Sequence, residues 1–223
     1  FESVRSIAAR SLLMATVWVH VAAVMRSASV GWSSPSPCST LTVKGSGGDL
    51  GTIANAGFAV LDLARLRQLR EGYKGEAHED EMVAHYPCFS VANHGAPPSI
   101  DTPLHAFLPF AHVDHLHPDW AIALAASANG RAKLDEFNRR FTRRLVWVPW
   151  QRPGFELAMM LRQAVETHPD ADGIVLASHG LFTWGDTSRA CYLNTLAIID
   201  ELGTFVLEHQ ARGPLFGGPV RPA

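Results

Sequence analysis

Short apolar runs typical of strands alternate with amphipathic helical segments along most of the chain. Residues 145–148 and 173–177 are rich in β-branched residues and have the continuous apolar pattern of buried strands. Residues 154–168 and 187–210 carry the apolar spacing of helices. Strands and helices that alternate in this way form a sheet covered by helices. The pattern therefore predicts an α/β sandwich.

The composition indicates a globular domain without a basic surface for nucleic acid. Of 223 residues, 47% are hydrophobic, and the chain has 19 Lys and Arg and 21 Asp and Glu. The three cysteines, Cys38, Cys88 and Cys191, form no C-x-x-C pair, which argues for a reducing compartment and against a cysteine zinc site. We expect a cytoplasmic protein with neither nucleic acid nor a membrane as a partner.

The first 38 residues differ in pattern from the rest. Residues 11–25 form an apolar run behind Arg5 and Arg10, and the run is shorter than the roughly 20 residues of a membrane span. A secretory signal has these features too, but we favour a buried helix. We therefore expect an atypical helix and Ser/Pro-rich loop over residues 1–38, one domain over 39–212 and a Gly/Pro-rich tail over 213–223.

Three histidines are candidate metal ligands. His115 and His117 lie two apart on a predicted strand over residues 111–117, so both side chains leave the same face. His179 follows the buried strand at 173–177, where functional residues often lie on a rigid scaffold. Three imidazoles leave one coordination position of zinc open for substrate. Ordinary strand and loop histidines are the alternative, and spacing alone does not decide between them.

Asp101 is the candidate acid/base, because a carboxylate beside a divalent ion is able to take or give a proton. Its alternative role is that of an N-cap, two residues before Pro103. His105 lies one helical turn further on and is expected to pack behind the site. His112 and Asp114 have the opposite strand parity to His115 and are not expected to be ligands.

The glycine-rich loop at residues 44–49 offers backbone amides, a hydroxyl and a lysine, which suit an anionic phosphate. It lacks the Gly-Lys-Ser/Thr ending of a P-loop, and no G-x-G-x-x-G precedes a helix. A plain tight turn is an equal alternative.

Three motifs together, at residues 99–105, 113–118 and 178–185, resemble the class II aldolase/adducin family. Residues 43–53 are similar to one branch of it, the aldolase half of bifunctional L-rhamnulose-1-phosphate aldolase/lactaldehyde dehydrogenases. The resemblance extends over about residues 41–210. Those relatives continue into a dehydrogenase half, so we expect a dehydrogenase domain that is missing here or lies on a separate chain.

The resemblance implies a three-layer α/β/α sandwich with a central mixed sheet, assembled as a homotetramer. It also implies zinc-dependent retro-aldol cleavage of a sugar phosphate, here L-rhamnulose 1-phosphate to dihydroxyacetone phosphate and L-lactaldehyde. By motif, His115, His117 and His179 would hold one Zn²⁺ per subunit, and Asp101 would be the acid/base. The residues expected at the substrate phosphate are Lys44, Gly45, Ser46, Gly47 and Ser99.

Two other activities fit the same motifs. One is 4-epimerisation of a pentulose phosphate, because the epimerases of the family carry Asp where fuculose-phosphate aldolases carry Glu. The other is a non-catalytic, adducin-like assembly role, against which the three retained histidines argue. The relatives also carry a Gly-Gly-Asn-x-Ser phosphate loop that residues 29–38 do not match. A catalytic tyrosine is not assigned among Tyr73, Tyr86 and Tyr192.

Overall fold

A computed structural model of the chain describes residues 19–26, 39–47, 51–91 and 95–209. The predicted Ser/Pro-rich loop and the predicted tail lie outside the described residues. The described residues form one seven-stranded sheet. Its strands are β1 (Val19–Arg26), β2 (Ser39–Lys44), β3 (Phe58–Asp62), β4 (His112–Leu116), β5 (Leu145–Val148), β6 (Gly173–Leu176) and β7 (Gly180–Gly185).

The strand order is β3-β2-β1-β4-β7-β6-β5, and every neighbouring pair is antiparallel except β5 and β6. The sheet is therefore mixed, as expected. Seven α-helices among the described residues connect these strands: α1 (Leu63–Gly72), α2 (Glu79–His85), α3 (Thr102–Ala106), α4 (Asp119–Ala125), α5 (Gly130–Arg140), α6 (Phe155–Thr167) and α7 (Ser188–Glu208).

The helices cover both faces of the sheet and enclose two hydrophobic cores. Along β6, Ile174 and Leu176 face one core and Val175 faces the other, as the two-residue period of a strand requires. The first core includes buried residues of α1, α2, α3 and α6: Leu66, Met82, Leu104 and Phe155. The second core includes buried residues of α4, α5 and α7: Leu124, Phe137, Ile198, Leu202 and Phe205. The three-layer α/β/α prediction is confirmed.

Strand β1 corrects the prediction of a helix over residues 11–25. The described part of that segment, residues 19–25, belongs to the strand Val19–Arg26, which pairs with β2 on one side and β4 on the other. A strand in the middle of a sheet that is covered on both faces reads as a continuous apolar run, which periodicity does not distinguish from a buried helix. The sheet thus includes residues that precede the predicted domain boundary at 39.

Strand β7 was not predicted, although it pairs with β4 next to the candidate site. It follows β6 after only three residues, so the two strands form a hairpin. Helix α7 then returns along the second face. Among the described residues, α7 is the one helix with the length and hydropathy of a membrane span. Its apolar residues Ile198, Leu202 and Phe205 are buried in the second core.

Candidate metal centre and active site

The imidazoles of His115, His117 and His179 meet at one end of β4. Nε2 of His115 lies 3.2 Å from Nε2 of His117 and 3.3 Å from Nε2 of His179. The ligand atoms of all three lie within 4.8 Å of one another. The structure therefore brings together the three histidines that the sequence singled out.

These distances fit a metal ion. Zn–N bonds of about 2.0–2.1 Å in a tetrahedron separate two ligand nitrogens by about 3.4 Å. Burial lowers the pKa of His115 well below its usual value, and the neighbouring His117 and His179 lower it further. His115 is thus held neutral, which is the form of imidazole that binds a metal. The triad has the donor type and spacing of a divalent-metal site, and His115 has the protonation state that such a site requires.

The backbone of β7 fixes the tautomer of His115. Nδ1 of His115 donates a hydrogen bond to the carbonyl oxygen of Leu181 at 3.1 Å. With the proton on Nδ1, the lone pair of Nε2 points toward the other two imidazoles. This orientation is the one that a metal requires.

His179 lies in the turn of the β6–β7 hairpin, which places it beside the other two histidines. The residue before it, Ser178, has a φ of 53°, which lies in the left-handed region that non-glycine residues rarely adopt. The amide of Ser178 donates to the carbonyl of Ala125 at 2.9 Å, and the amide of His179 donates to the carbonyl of Leu176 at 3.2 Å. The end of α4 thus holds the hairpin turn in place.

Asp101 precedes α3, a helix of five residues. Among the described residues, its side chain makes no capping hydrogen bond to that helix, so the N-cap role is not observed. Burial raises the pKa of Asp101, while the nearby charges of His117 and Lys44 lower it and so offset part of that rise. The half-buried carboxyl group of Asp101 therefore lies near His117.

The glycine-rich loop is adjacent to the segment that carries Ser99 and Asp101, because the amide of Ser46 donates to the carbonyl of Pro97 at 3.0 Å. The amide of Asp101 in turn donates to Oγ of Ser99 at 3.2 Å. The loop, Ser99 and Asp101 therefore lie together, as the sequence predicts.

Lys44 differs from its expected role as a direct phosphate ligand. Its side chain is only 3% exposed, and Nζ donates to the carbonyl of Gly47 at 2.7 Å and to that of Gly45 at 3.3 Å. The amide of Gly45 is also used internally, since it donates to the carbonyl of Gly57 at 2.9 Å. The ammonium group orders the loop from its buried side. Among the loop residues that the structure describes, Ser46 and Gly47 are exposed.

His105 and Asp114 lie where the sequence analysis placed them, whereas the tyrosines had no predicted position. His105 is fully buried, with its ring centroid 6.1 Å from that of Phe182. Asp114 is directed to the opposite face of the sheet, where its Oδ2 accepts a hydrogen bond of 2.9 Å from Oγ1 of Thr195. Tyr86 is buried in the first core, and Tyr192 is exposed on α7.

Sequence reasoning missed the contribution of β7 to the site, namely Gly180, the carbonyl of Leu181 and the ring of Phe182. The signal was present in the four apolar or β-prone residues that follow Gly180. Recognition of a strand there would have predicted a hairpin with β6.

Comparison with known proteins identifies the family and the fold. Residues 5–202 match the family model described as "Class II Aldolase and Adducin N-terminal domain". The N-terminal class II aldolase domain of a Thermoplasma acidophilum protein superposes with a TM-score of 0.70 at 27% identity, over 90% of this chain and 88% of that one. A sugar-phosphate aldolase from Thermotoga maritima superposes with a TM-score of 0.62 at 13% identity, over 96% of each chain, which shows the shared fold.

A curated relative from Bacillus subtilis (strain 168), the uncharacterized oxidoreductase YuxG, is 38% identical over 176 residues. The match covers 79% of this chain but only 25% of that protein, so this chain spans about a quarter of the length of the relative. The family match covers most of the chain and includes the three histidines and Asp101. The chain belongs to the class II aldolase and adducin N-terminal domain family.

Proposed function

We propose that this domain catalyses the metal-dependent retro-aldol cleavage of a phosphorylated ketose, with Zn²⁺ as the metal. The substrate that we propose is L-rhamnulose 1-phosphate, which would give dihydroxyacetone phosphate and L-lactaldehyde. The observation that carries the proposal is the convergence of three imidazoles, with Nε2 of His117 and Nε2 of His179 at 3.2 and 3.3 Å from Nε2 of His115, near the half-buried carboxyl group of Asp101.

His115, His117 and His179 would hold the metal through Nε2. A divalent cation in this position supplies Lewis-acid stabilisation of the negative charge that develops on substrate oxygens during cleavage. Leu181 and the hairpin turn orient two of the imidazoles before any ligand arrives, so little reorganisation is needed on binding.

Asp101 would move the proton. Cleavage breaks the bond between C3 and C4: the C4 hydroxyl loses a proton and becomes the aldehyde, and C3 keeps the electron pair and gains a proton. We assign to the carboxylate of Asp101 both the uptake of the proton from the C4 hydroxyl and its delivery to C3, so that one proton is taken and one is given. Burial raises the pKa of this group, which favours a carboxyl group that holds the proton between these two transfers.

The substrate phosphate would bind at the glycine-rich loop and Ser99. Ser46 and Gly47 are exposed there, and Lys44 holds the loop in shape through the carbonyls of Gly45 and Gly47. Loop amides and hydroxyls of this kind suit a phosphate dianion. We propose that Lys44 contributes its positive charge from the buried side of the loop and does not contact the substrate phosphate directly.

A 4-epimerase of pentulose phosphates is the second candidate, and the identity of residue 101 favours it. Aspartate stands at this position in the family's epimerases, whereas fuculose-phosphate aldolases carry glutamate. An epimerase breaks the same bond but re-forms it before either fragment leaves. The Bacillus relative is named an oxidoreductase, but this chain matches only a quarter of that protein. We therefore assign no redox step to this domain.

We further propose that the domain acts as a homotetramer in the cytoplasm. Exposed Tyr192 and Leu193 on α7 offer apolar surface for subunit contacts. The molar mass in solution, measured by light scattering, would test the assembly: about four times the chain mass supports it and a monomer contradicts it.

The experiment that tests the proposed reaction is product analysis with three substrates. The purified protein is incubated separately with L-rhamnulose 1-phosphate, L-fuculose 1-phosphate and L-ribulose 5-phosphate, and dihydroxyacetone phosphate and free aldehyde are quantified. Release of both products, fastest from L-rhamnulose 1-phosphate, supports the proposal. Conversion of the pentulose phosphate to its C4 epimer without free aldehyde would establish the second candidate instead.

A further inference from the structure

We propose that Phe182 is a positioning residue for the metal centre: its ring fixes the plane of the His115 imidazole. The inference rests on the metal site of the proposed function, and it assigns a role to a residue that touches neither metal nor substrate. Phe182 belongs to β7, the strand that the sequence pattern did not predict.

The pairing of β4 with β7 places the two side chains side by side. His115 and Phe182 are direct cross-strand partners in this antiparallel ladder, so their side chains leave the same face of the sheet. The two rings stack with centroids 4.0 Å apart and an interplanar angle of 9°. Both residues are almost fully buried, at 1% exposure for His115 and 0% for Phe182.

Two consecutive residues of β7, Leu181 and Phe182, thereby fix the orientation of the His115 imidazole. The hydrogen bond from Nδ1 to the carbonyl of Leu181 fixes the tautomer and the direction of the ring within its plane. A single hydrogen bond leaves the ring free to tilt about that bond. The stacked face of Phe182 removes this remaining freedom, because a tilt would lose the ring contact or push into a close-packed core.

Phe182 is itself held firmly. It belongs to the first core, and His105 of α3 packs near it with the ring planes tilted by 53°. Helix α3, which follows Asp101, therefore supports the Phe182 ring through His105. Nε2 of His115 lies within 3.3 Å of Nε2 in both other histidines, so a change in the plane of its ring would displace a ligand atom that neighbours both of the others.

The test compares metal affinity in Phe182→Leu with that in a matched control, Phe155→Leu. Phe155 is equally buried in the same core, but it contacts Tyr73 and Phe107 rather than a histidine. Zinc affinity is measured by competition with a chromophoric chelator, and the ligand field is followed by the visible spectrum of the Co²⁺-loaded protein. Loss of outer-shell support typically weakens metal affinity by about 10–100-fold.

We expect Phe182→Leu to lose at least about tenfold in zinc affinity and to shift the Co²⁺ spectrum, and Phe155→Leu to keep both. Equal affinity and identical spectra in the wild type and Phe182→Leu would overturn the inference. Phe182→Met, which places a flexible apolar side chain without an aromatic face at the same position, repeats the test if the leucine variant does not fold. A wild-type protein that binds neither Zn²⁺ nor Co²⁺ would contradict the proposed metal centre itself, which separates the two failures.

Discussion

Gly180 lies directly against His117, so closely that a Cβ atom on Gly180 would be 2.5 Å from Cδ2 of the imidazole and 2.6 Å from the carbonyl oxygen of Leu116. The second of these neighbours is backbone and does not move aside cheaply. A glycine is therefore required at the start of β7 for His117 to turn toward the other two ligands.

Replacing Gly180 with alanine should displace His117 and weaken the metal site. We expect Gly180→Ala to cost about 1–3 kcal/mol of unfolding free energy by overpacking. Zinc affinity should fall by about tenfold or more. Urea unfolding and zinc competition measure the two effects. Gly72→Ala is the matched control, because a Cβ there has no neighbour within 4 Å; if both variants bound zinc equally, the contact would have no role in the site.

Glycine at position 178 should preserve or raise the stability of the protein, whereas a β-branched residue there should lower it. Its φ of 53° costs an L-residue about 1–2 kcal/mol in the left-handed region. We expect Ser178→Val to lose stability and zinc affinity because the turn that carries His179 is strained further. Ser178→Gly should match or exceed the wild type in unfolding free energy. A valine variant as stable as the glycine variant would show that the turn relaxes without cost.

Asp101→Asn should separate metal binding from turnover. The three imidazoles are unchanged, so zinc should remain bound, whereas loss of the proton-transferring group should reduce kcat by about a hundredfold or more. Zinc content and initial rates on the same preparation provide the measurement. Asp62→Asn is the control, since Asp62 caps α1 by accepting a hydrogen bond from the amide of Arg65 and asparagine retains that capacity. Turnover of Asp101→Asn near the wild-type value would remove Asp101 from the mechanism.

The same substitution should change the pH dependence of stability in the metal-free protein. Because burial raises the pKa of Asp101, the folded state loses stability as the pH rises through that raised pKa and the carboxyl group ionises. The asparagine variant has no such loss. We expect it to melt at a higher temperature than the wild type at pH 7, with a difference that shrinks toward pH 4. A difference that grows toward pH 4 would mean that the carboxylate is stabilised in the fold.

The candidate site was predictable from sequence where local geometry decides it. Two histidines spaced by two on a strand share a face, and a polar residue at the end of a buried strand lies at the sheet edge, so His115, His117 and His179 were recognisable as candidates. Spacing alone did not distinguish metal ligands from ordinary strand and loop histidines, whereas the structure shows that the three imidazoles meet. The same alternation rule excluded Asp114, which binds Thr195 on the other face.

The parts that could not be predicted depend on pairing across the sheet. Val19–Arg26 is a strand because β2 and β4 lie on either side of it, and no local pattern records those neighbours. Phe182 acquires its place beside His115 only through the β4–β7 register. The direction of the Lys44 side chain, inward to the carbonyls of its own loop, is likewise a tertiary feature that residue type does not reveal.

The measurement that tests the central claim most directly is the metal dependence of dihydroxyacetone phosphate release from L-rhamnulose 1-phosphate, in the wild type and in His179→Ala. His112→Ala, which alters a histidine of the same strand outside the triad, is the control. We expect chelator to stop release by the wild type and about one equivalent of Zn²⁺ per chain to restore it, with His112→Ala behaving alike. His179→Ala should keep its circular dichroism spectrum but neither retain zinc nor release product. Two results would contradict a metal-dependent aldolase whose metal is held by this triad. One is dihydroxyacetone phosphate release by the wild type in the presence of chelator, and the other is release by His179→Ala without bound metal.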